Sequence, residues 1–189
     1  RIRSGILATR MVPLAQVVDR LTRAVRQIAR ESEKQVTFVA TGAETELDKL
    51  LVEELTEPLL HLVRNAVDHG IEAKATRERL QKPVVGTLAL NAFQKGNQVV
   101  VELEDDGAGM HPEALVARAI GLGLISPEEG RTYGRNEAFS LVFLPGFTTR
   151  AEAGPLSGRG VGMDVVKTNI AALGGTVEVE SEPDIGSKF

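Results

Sequence analysis

Apolar residues recur at helical spacing early in the chain, at Leu14, Val17, Val18, Leu21, Val25 and Ile28. That period predicts an amphipathic helix over Pro13 to Ser32. Its other face carries Arg20, Arg23, Arg26 and Arg30, which read as a solvated helix face rather than a basic interaction surface. Gln35 to Ala40 alternates as a strand does. Glu46 to Val67 returns to a helical pattern, with Pro58 either kinking it or opening a second helix. Two runs, Thr87 to Phe93 and Gln98 to Asp105, flank Lys95-Gly96-Asn97 and predict a β-hairpin. A helix is expected near Pro112 to Ile120. The stretch from Gly121 to Ser157 is rich in Gly and Pro, with one helical patch around Asn136 to Leu144. Val161 to Leu173 reads as a helix closed by Gly174-Gly175, and Thr176 to Glu182 as a strand. The pattern is that of a mixed α/β domain.

One helical stretch, Leu59 to His69, separates its residues by chemistry. At 3.6 residues per turn, Leu59, Leu62, Val63, Ala66 and Val67 gather on one side. His61, Arg64, Asn65, Asp68 and His69 gather on the other. An ordinary solvated face is built of Lys and Glu. Two imidazoles and an amide at i, i+4 and i+8 instead suit metal and phosphate, without the repulsion carboxylates offer a triphosphate. A zinc site is the competing reading. It is discounted because His61 and His69 are eight positions apart and lack Cys or carboxylate support.

Asp105-Asp106-Gly107-Ala108-Gly109 follows an apolar strand. A strand-end carboxylate can accept from an exocyclic amine such as adenine N6, and the glycines let backbone turn and approach a flat base. Alone the motif is equally a tight turn. Gly158-Arg159-Gly160-Val161-Gly162-Met163 opens a helix, and its exposed amides make an anion cradle suited to phosphates. It lacks the upstream strand and spacing of a Rossmann site, and the chain has no Walker loop. Alone it is equally a flexible hinge.

Bulk properties narrow the classes. The 189 residues suffice for one domain with its own core, or one domain with a short arm. A net charge of −4 gives no field favouring nucleic acid or an anionic membrane. The absence of cysteine excludes a disulfide scaffold, a thiolate metal site and a cysteine nucleophile. No stretch approaches the roughly 18 apolar residues of a membrane span. A cytoplasmic piece of a longer protein is the expectation.

The order of these motifs carries a resemblance. His61-Leu62-Val63-Arg64-Asn65-Ala66-Val67-Asp68-His69-Gly70-Ile71-Glu72, then Asp105 to Gly109, then Gly158 to Val166 resemble the N box and two glycine boxes of CheA-type chemotaxis histidine kinases. Those kinases belong to the GHKL group of ATPases, with DNA gyrase, the heat-shock chaperone and MutL. Arg10-Met11-Val12-Pro13, Glu44-Thr45-Glu46-Leu47-Asp48 and Pro145-Gly146-Phe147-Thr148-Thr149 match as well, so the likeness covers essentially the whole chain.

The resemblance implies a two-layer α/β (α+β) sandwich of the Bergerat type, a mixed sheet with helices on one face and a flexible ATP lid. Residues 1–12 would end an upstream linker or dimerisation helix, and 13–189 would form the ATP-binding kinase domain, with the lid at about 121–160. Asn65 would ligate Mg²⁺ across the phosphates of ATP, with His61 beside it and Arg64 and His69 near the phosphate end. Asp105 would accept from adenine, Gly107 and Gly109 would admit the base, and Gly158, Gly160 and Gly162 would wrap the phosphates. Ser187 stands where the family usually has Thr near the adenine. Arg150 stands where some relatives have Lys, and offers a cation toward the γ-phosphate.

Implied too is phosphoryl transfer to a histidine on a separate domain of the same kinase, and onward to response regulators. A receptor-coupling protein and dimerisation would engage other domains, leaving this piece monomeric. His111, the remaining histidine, reads as a surface residue at a helix start. The rivals are an ATPase using hydrolysis for conformational work, and a non-catalytic nucleotide-binding module. The first normally carries an acidic base where this chain has His61.

Overall fold

The computed structural model describes residues 10–148 and 162–189. They gather in two compact units, divided between Asp105 and Asp106.

The first unit runs β1 (Met11–Pro13), α1 (Ala15–Glu31), β2 (Val36–Thr41), β3 (Glu46–Asp48), α2 (Lys49–Asn65), a π-helical turn (Ala66–Gly70), α3 (Lys74–Arg79), β4 (Gly86–Lys95) and β5 (Gln98–Asp105). Helix α1 buries Val17, Leu21, Val25, Ile28 and Ala29, and its four arginines are exposed, as its periodicity requires. It ends where Glu33 turns left-handed at φ 55° and the Lys34 amide closes on the Ala29 carbonyl at 2.9 Å. Strands β2 and β4 pair in parallel from Val36↔Gly86 to Thr41↔Asn91. Strands β4 and β5 pair antiparallel through a two-residue turn, Gly96-Asn97, in which Gly96 takes φ 61°. The sheet is therefore mixed. Alternation along β4 buries Leu88, Leu90 and Ala92 on one face, and their partners there include Leu103 and Asp105. Helix α1 packs on both α2 and β2.

Three features depart from the sequence pattern. Glu46–Asp48 is a strand rather than the start of a helix, paired antiparallel with Met11–Pro13. Asp48 then caps α2 by accepting from the Leu50 amide at 2.8 Å. Pro58 does not open a second helix; α2 runs 17 residues through it with Pro58 buried. Gly42, at φ 83°, crosses so close to β4 that a Cβ there would lie 1.8 Å from the Ala92 carbonyl oxygen.

The second unit contains α4 (Pro112–Gly121), α5 (Pro127–Gly130), α6 (Arg135–Ser140), a 3-10 turn (Leu141–Phe143), α7 (Met163–Ala172), β6 (Glu180–Glu182) and β7 (Gly186–Lys188). Strands β6 and β7 form a short antiparallel hairpin with Ser181 opposite Ser187. The strand expected from Thr176 forms only from Glu180. Its core includes Ala119, Ile125, Phe139, Leu141, Phe143, Phe147, Met163 and Val166. Much of that core comes from the Gly- and Pro-rich stretch, because Phe139, Phe143 and Phe147 recur every fourth residue within it. Phe143 meets Phe189 edge-on at 6.2 Å, and the Arg118 guanidinium lies 5.1 Å from the Phe147 ring centre.

Candidate functional site

Helix α2 presents the face read from its sequence. Leu59, Leu62, Val63 and Val67 are buried, while His61, Arg64, Asn65 and Asp68 are half-buried and His69 is exposed. Asn65 is the last residue of α2, and beyond it the helix widens into a π turn, with the Ile71 amide donating to Ala66 O at 2.8 Å.

That turn is gripped from the α1–β2 corner. The Lys34 ammonium donates to the Val67 and Asp68 carbonyls at 2.8 and 2.9 Å, and Ser32 Oγ donates to Asp68 Oδ1 at 2.8 Å. Burial pushes the Lys34 ammonium below the usual lysine range, against the pull of Asp68 and Glu72. The Arg64 guanidinium stands 3.9 Å from Asp68, a loose pair between half-exposed side chains. On the far side of the turn, Glu72 accepts from Arg77 at 2.8 Å and from Lys82 at 2.6 Å. Arg77 is only 1% exposed, and its Nε donates to Pro83 O at 2.6 Å. Burial raises the Glu72 pKa, but the Lys82 hydrogen bond, a backbone hydrogen bond and the two cations outweigh it and leave it lowered.

The turn also reaches the second motif. Asp105 ends β5 on the buried sheet face, opposite Leu88, at 7% exposure. A Cβ on Gly70 would lie 3.2–3.4 Å from the Asp105 carboxylate atoms. The helix bearing Asn65 and the strand-end carboxylate thus meet within one unit.

In the second unit the residues following Asp105 are braced by the β6–β7 hairpin. The Asp184 amide donates to Ala108 O at 2.7 Å, and the Met110 amide donates to Ser181 Oγ at 2.8 Å. Gly109 takes φ 65°, and a Cβ there would lie 2.0 Å from the Glu182 carbonyl oxygen. Its lack of a side chain is therefore required by the chain's own hairpin, whatever it admits besides. Ser181 Oγ lies 3.1 Å from Gly186 O and 2.8 Å from Ser187 Oγ. With its single proton on Gly186 O, Ser181 accepts from Ser187, leaving Ser187 only lone pairs for a ligand. Gly162 is the buried N-cap position of α7, where a Cβ would meet Asp164 Oδ1 at 2.7 Å. Gly158, Gly160 and Arg150 lie outside the described residues. A groove of 520 Å³ lined by Val116, Ile120, Tyr133 and Ala138 contains none of the candidate residues.

Ser32, Lys34 and Ser181 have no local signature in the sequence, since the Asp68, Val67 and Met110 groups they hold lie 33 to 71 positions away. Among the described residues no group of three or more His, Cys, Asp or Glu side chains could hold a metal. The donors on α2, one amide and one imidazole a turn apart, fit Mg²⁺ only where phosphate oxygens and water complete its shell, as they commonly do.

Residues 54–189 match the family described as histidine kinase-, DNA gyrase B-, and HSP90-like ATPase. The chain is 47% identical over 188 residues to the chemotaxis protein CheA of Treponema pallidum, spanning all of this chain and 23% of that protein. It is 44% identical to the CheA of Bacillus subtilis, again over its full length and 28% of the relative. It thus spans about a quarter of the curated relatives it matches. Among solved structures it is similar to the catalytic domain of the histidine kinase ThkA, with TM-score 0.56 and 15% identity over 97% of this chain and 92% of that one. Such a distant structural likeness speaks to the fold. A mixed sheet with helices, the ordered boxes and the family match lead to one conclusion: the chain belongs to the histidine kinase-, DNA gyrase B-, and HSP90-like ATPase family, as a catalytic ATPase domain of the CheA type.

Proposed function

We propose that this chain binds Mg²⁺-ATP and donates the γ-phosphate to a histidine on a separate phosphotransfer domain of a longer chemotaxis kinase. The observation that carries this reading is the meeting of Gly70 with the Asp105 carboxylate, which joins the amide-and-imidazole helix to a buried acceptor. Asp105 would take the adenine amine, and a buried carboxylate makes a strong, charge-assisted bond to it. Gly107 and Gly109 would leave room for the base, and Ser187 would offer an acceptor beside it.

At the other end Asn65, with His61, would hold Mg²⁺ against the phosphate oxygens, with Arg64 and His69 near them. Bound there, Mg²⁺ would neutralise charge on the phosphates. Gly158, Gly160 and Gly162 would cradle the phosphates, with Arg150 offering a cation, in a lid assigned to about 121–160. An imidazole nitrogen of the acceptor then attacks the γ-phosphorus, the bond to the bridging oxygen breaks, and ADP leaves. Little covalent work falls to the protein; alignment and charge do most of it. Response regulators, a receptor-coupling protein and the dimer contact belong, on this reading, to other domains. No described helix is long and apolar enough to cross a membrane.

Titration calorimetry separates the two ends. Asp105→Asn should weaken ATP, ADP and adenosine alike by about ten- to a hundredfold, independent of Mg²⁺. Asn65→Ala should spare adenosine and weaken Mg²⁺-ATP, and should abolish transfer to a separately supplied phosphotransfer domain. Adenosine weakened equally by Asn65→Ala, or ADP spared by Asp105→Asn, would overturn the assignment. Steady release of phosphate without transfer would favour the hydrolytic reading.

A further inference from the structure

We propose that Lys34 is a positioning residue of the nucleotide site: its ammonium holds the π turn in the register that sets Gly70 against Asp105. The inference rests on the reading of Asp105 as the adenine acceptor.

A π turn is an unfavourable insertion of one residue into a helix, and it persists where its surroundings hold it. The last carbonyls of a helix have no intrahelical donor, and a cation there also meets the negative end of the helix dipole. Lys34 supplies both, donating to Val67 O and Asp68 O. Its position is not accidental to the backbone. The left-handed turn at Glu33 closes α1 and leads directly into Lys34, and Ser32 fastens Asp68 from the same corner. The ammonium is desolvated there, a cost that an ordinary solvated lysine avoids. Downstream, the Glu72–Arg77–Lys82 cluster fixes the chain, so the five residues between are held from both sides.

Register matters because at that point even a bare Cβ would come within 3.2 Å of the Asp105 carboxylate, so any side chain there presses on it. Were the turn to relax to an ordinary α-helix, each later residue would shift by about 100° of helical phase. His69 or Ile71 would then replace Gly70 beside the carboxylate and bring a Cβ, with its side chain, to where a bare Cβ already approaches 3.2 Å. Asp105 would have to move, and with it the hydrogen bond that selects adenine. Lys34 thus acts on the adenine end through the turn, without touching the nucleotide.

The test compares Lys34→Met, which keeps length and removes the donors, with Lys34→Arg, which restores them. Calorimetry on the full chain should show Lys34→Met weakening adenosine, ADP and Mg²⁺-ATP by a similar factor, about tenfold, with stoichiometry near one. Lys34→Arg should recover most of that loss, and hydrogen exchange of residues 66–71 should be faster in Lys34→Met alone. Ser32→Ala should give a smaller loss of the same kind, which keeps the test available if Lys34→Met folds poorly. A fall in stoichiometry with unchanged affinity would make Lys34 merely structural and end the proposal. So would unchanged adenosine binding in both Lys34→Met and Ser32→Ala while Asp105→Asn weakens it. If Asp105→Asn also spares adenosine, the reading of Asp105 fails first and the proposal falls with it.

Discussion

Around the candidate helix in the first unit, charge holds the backbone: Lys34 on two carbonyls, Ser32 on Asp68, and Glu72 between Arg77 and Lys82. Around the glycines of the second unit, close approach and neutral donors hold the backbone, and the ion pairs there, Arg135–Glu182 and Lys188–Glu180, are solvent-exposed rather than buried. Gly109 lies under the Glu182 carbonyl, Asp184 N binds Ala108 O, and two serines share one hydroxyl network. Charged clamps resist torsion of a helix end but depend on protonation and leave costly orphans when broken. Close backbone contact is indifferent to pH but tolerates no added atom. The two halves of the family's motif set should therefore fail under different stresses.

The largest effect is expected from Gly109→Ala, where a left-handed φ and a 2.0 Å contact with backbone coincide. Strain and overpacking together should cost about 3–5 kcal/mol. Hydrogen exchange should show lost protection at 108–110 and 180–188, with 86–105 retained. Equal loss in both units would break the contrast.

Glu72→Gln comes next, at about 3 kcal/mol at neutral pH, because it removes the buried carboxylate charge that Arg77 and Lys82 share. The folded pKa of Glu72 is lowered from 4.5, so its contribution is full above that unfolded value and is lost as pH falls through the folded one. Denaturant titrations of wild type and variant should therefore converge in acid. A pH-independent gap would show that the carboxylate's charge is not what holds the turn.

Smallest is Ser181→Ala, at about 1–2 kcal/mol, since it strips a partner from the Met110 amide and from Ser187. That loss should not change between pH 4 and pH 8, whereas the Glu72→Gln loss should.

The sequence carried helix α1 to within two residues because its apolar period is unbroken, although its N-cap, Leu14, gives no capping signal. The β4–β5 hairpin was equally legible, since alternation and a glycine turn coincide. Strand β3 was not. Three residues, Glu46-Leu47-Asp48, are too few to display alternation, and two of them favour helices as readily as strands. Helix α3 went unread because Lys74 to Arg79 has almost no apolar period; it is held by Arg77, whose partners are Glu72 and Pro83. At the site, the polar face of α2 was visible because it depends only on local phase. The π turn was not, because what stabilises it lies more than thirty residues upstream. Gly109 was read toward a ligand; its nearest neighbour proves to be a carbonyl 73 positions later.

The parallel pairing of β2 with β4 has a kinetic consequence. Residues 42–85 form the crossover between the two strands, and they include β3, α2 and the π turn. The β4–β5 hairpin needs only a two-residue turn and should form early, within microseconds in favourable cases. The parallel ladder must first close that long loop, an entropic outlay recovered only when the last contacts are made. Asn65 is carried inside the loop being closed. A chain leaving the ribosome would thus acquire a hairpin long before it could recognise a nucleotide, and refolding followed by ligand binding should lag refolding followed by strand signal.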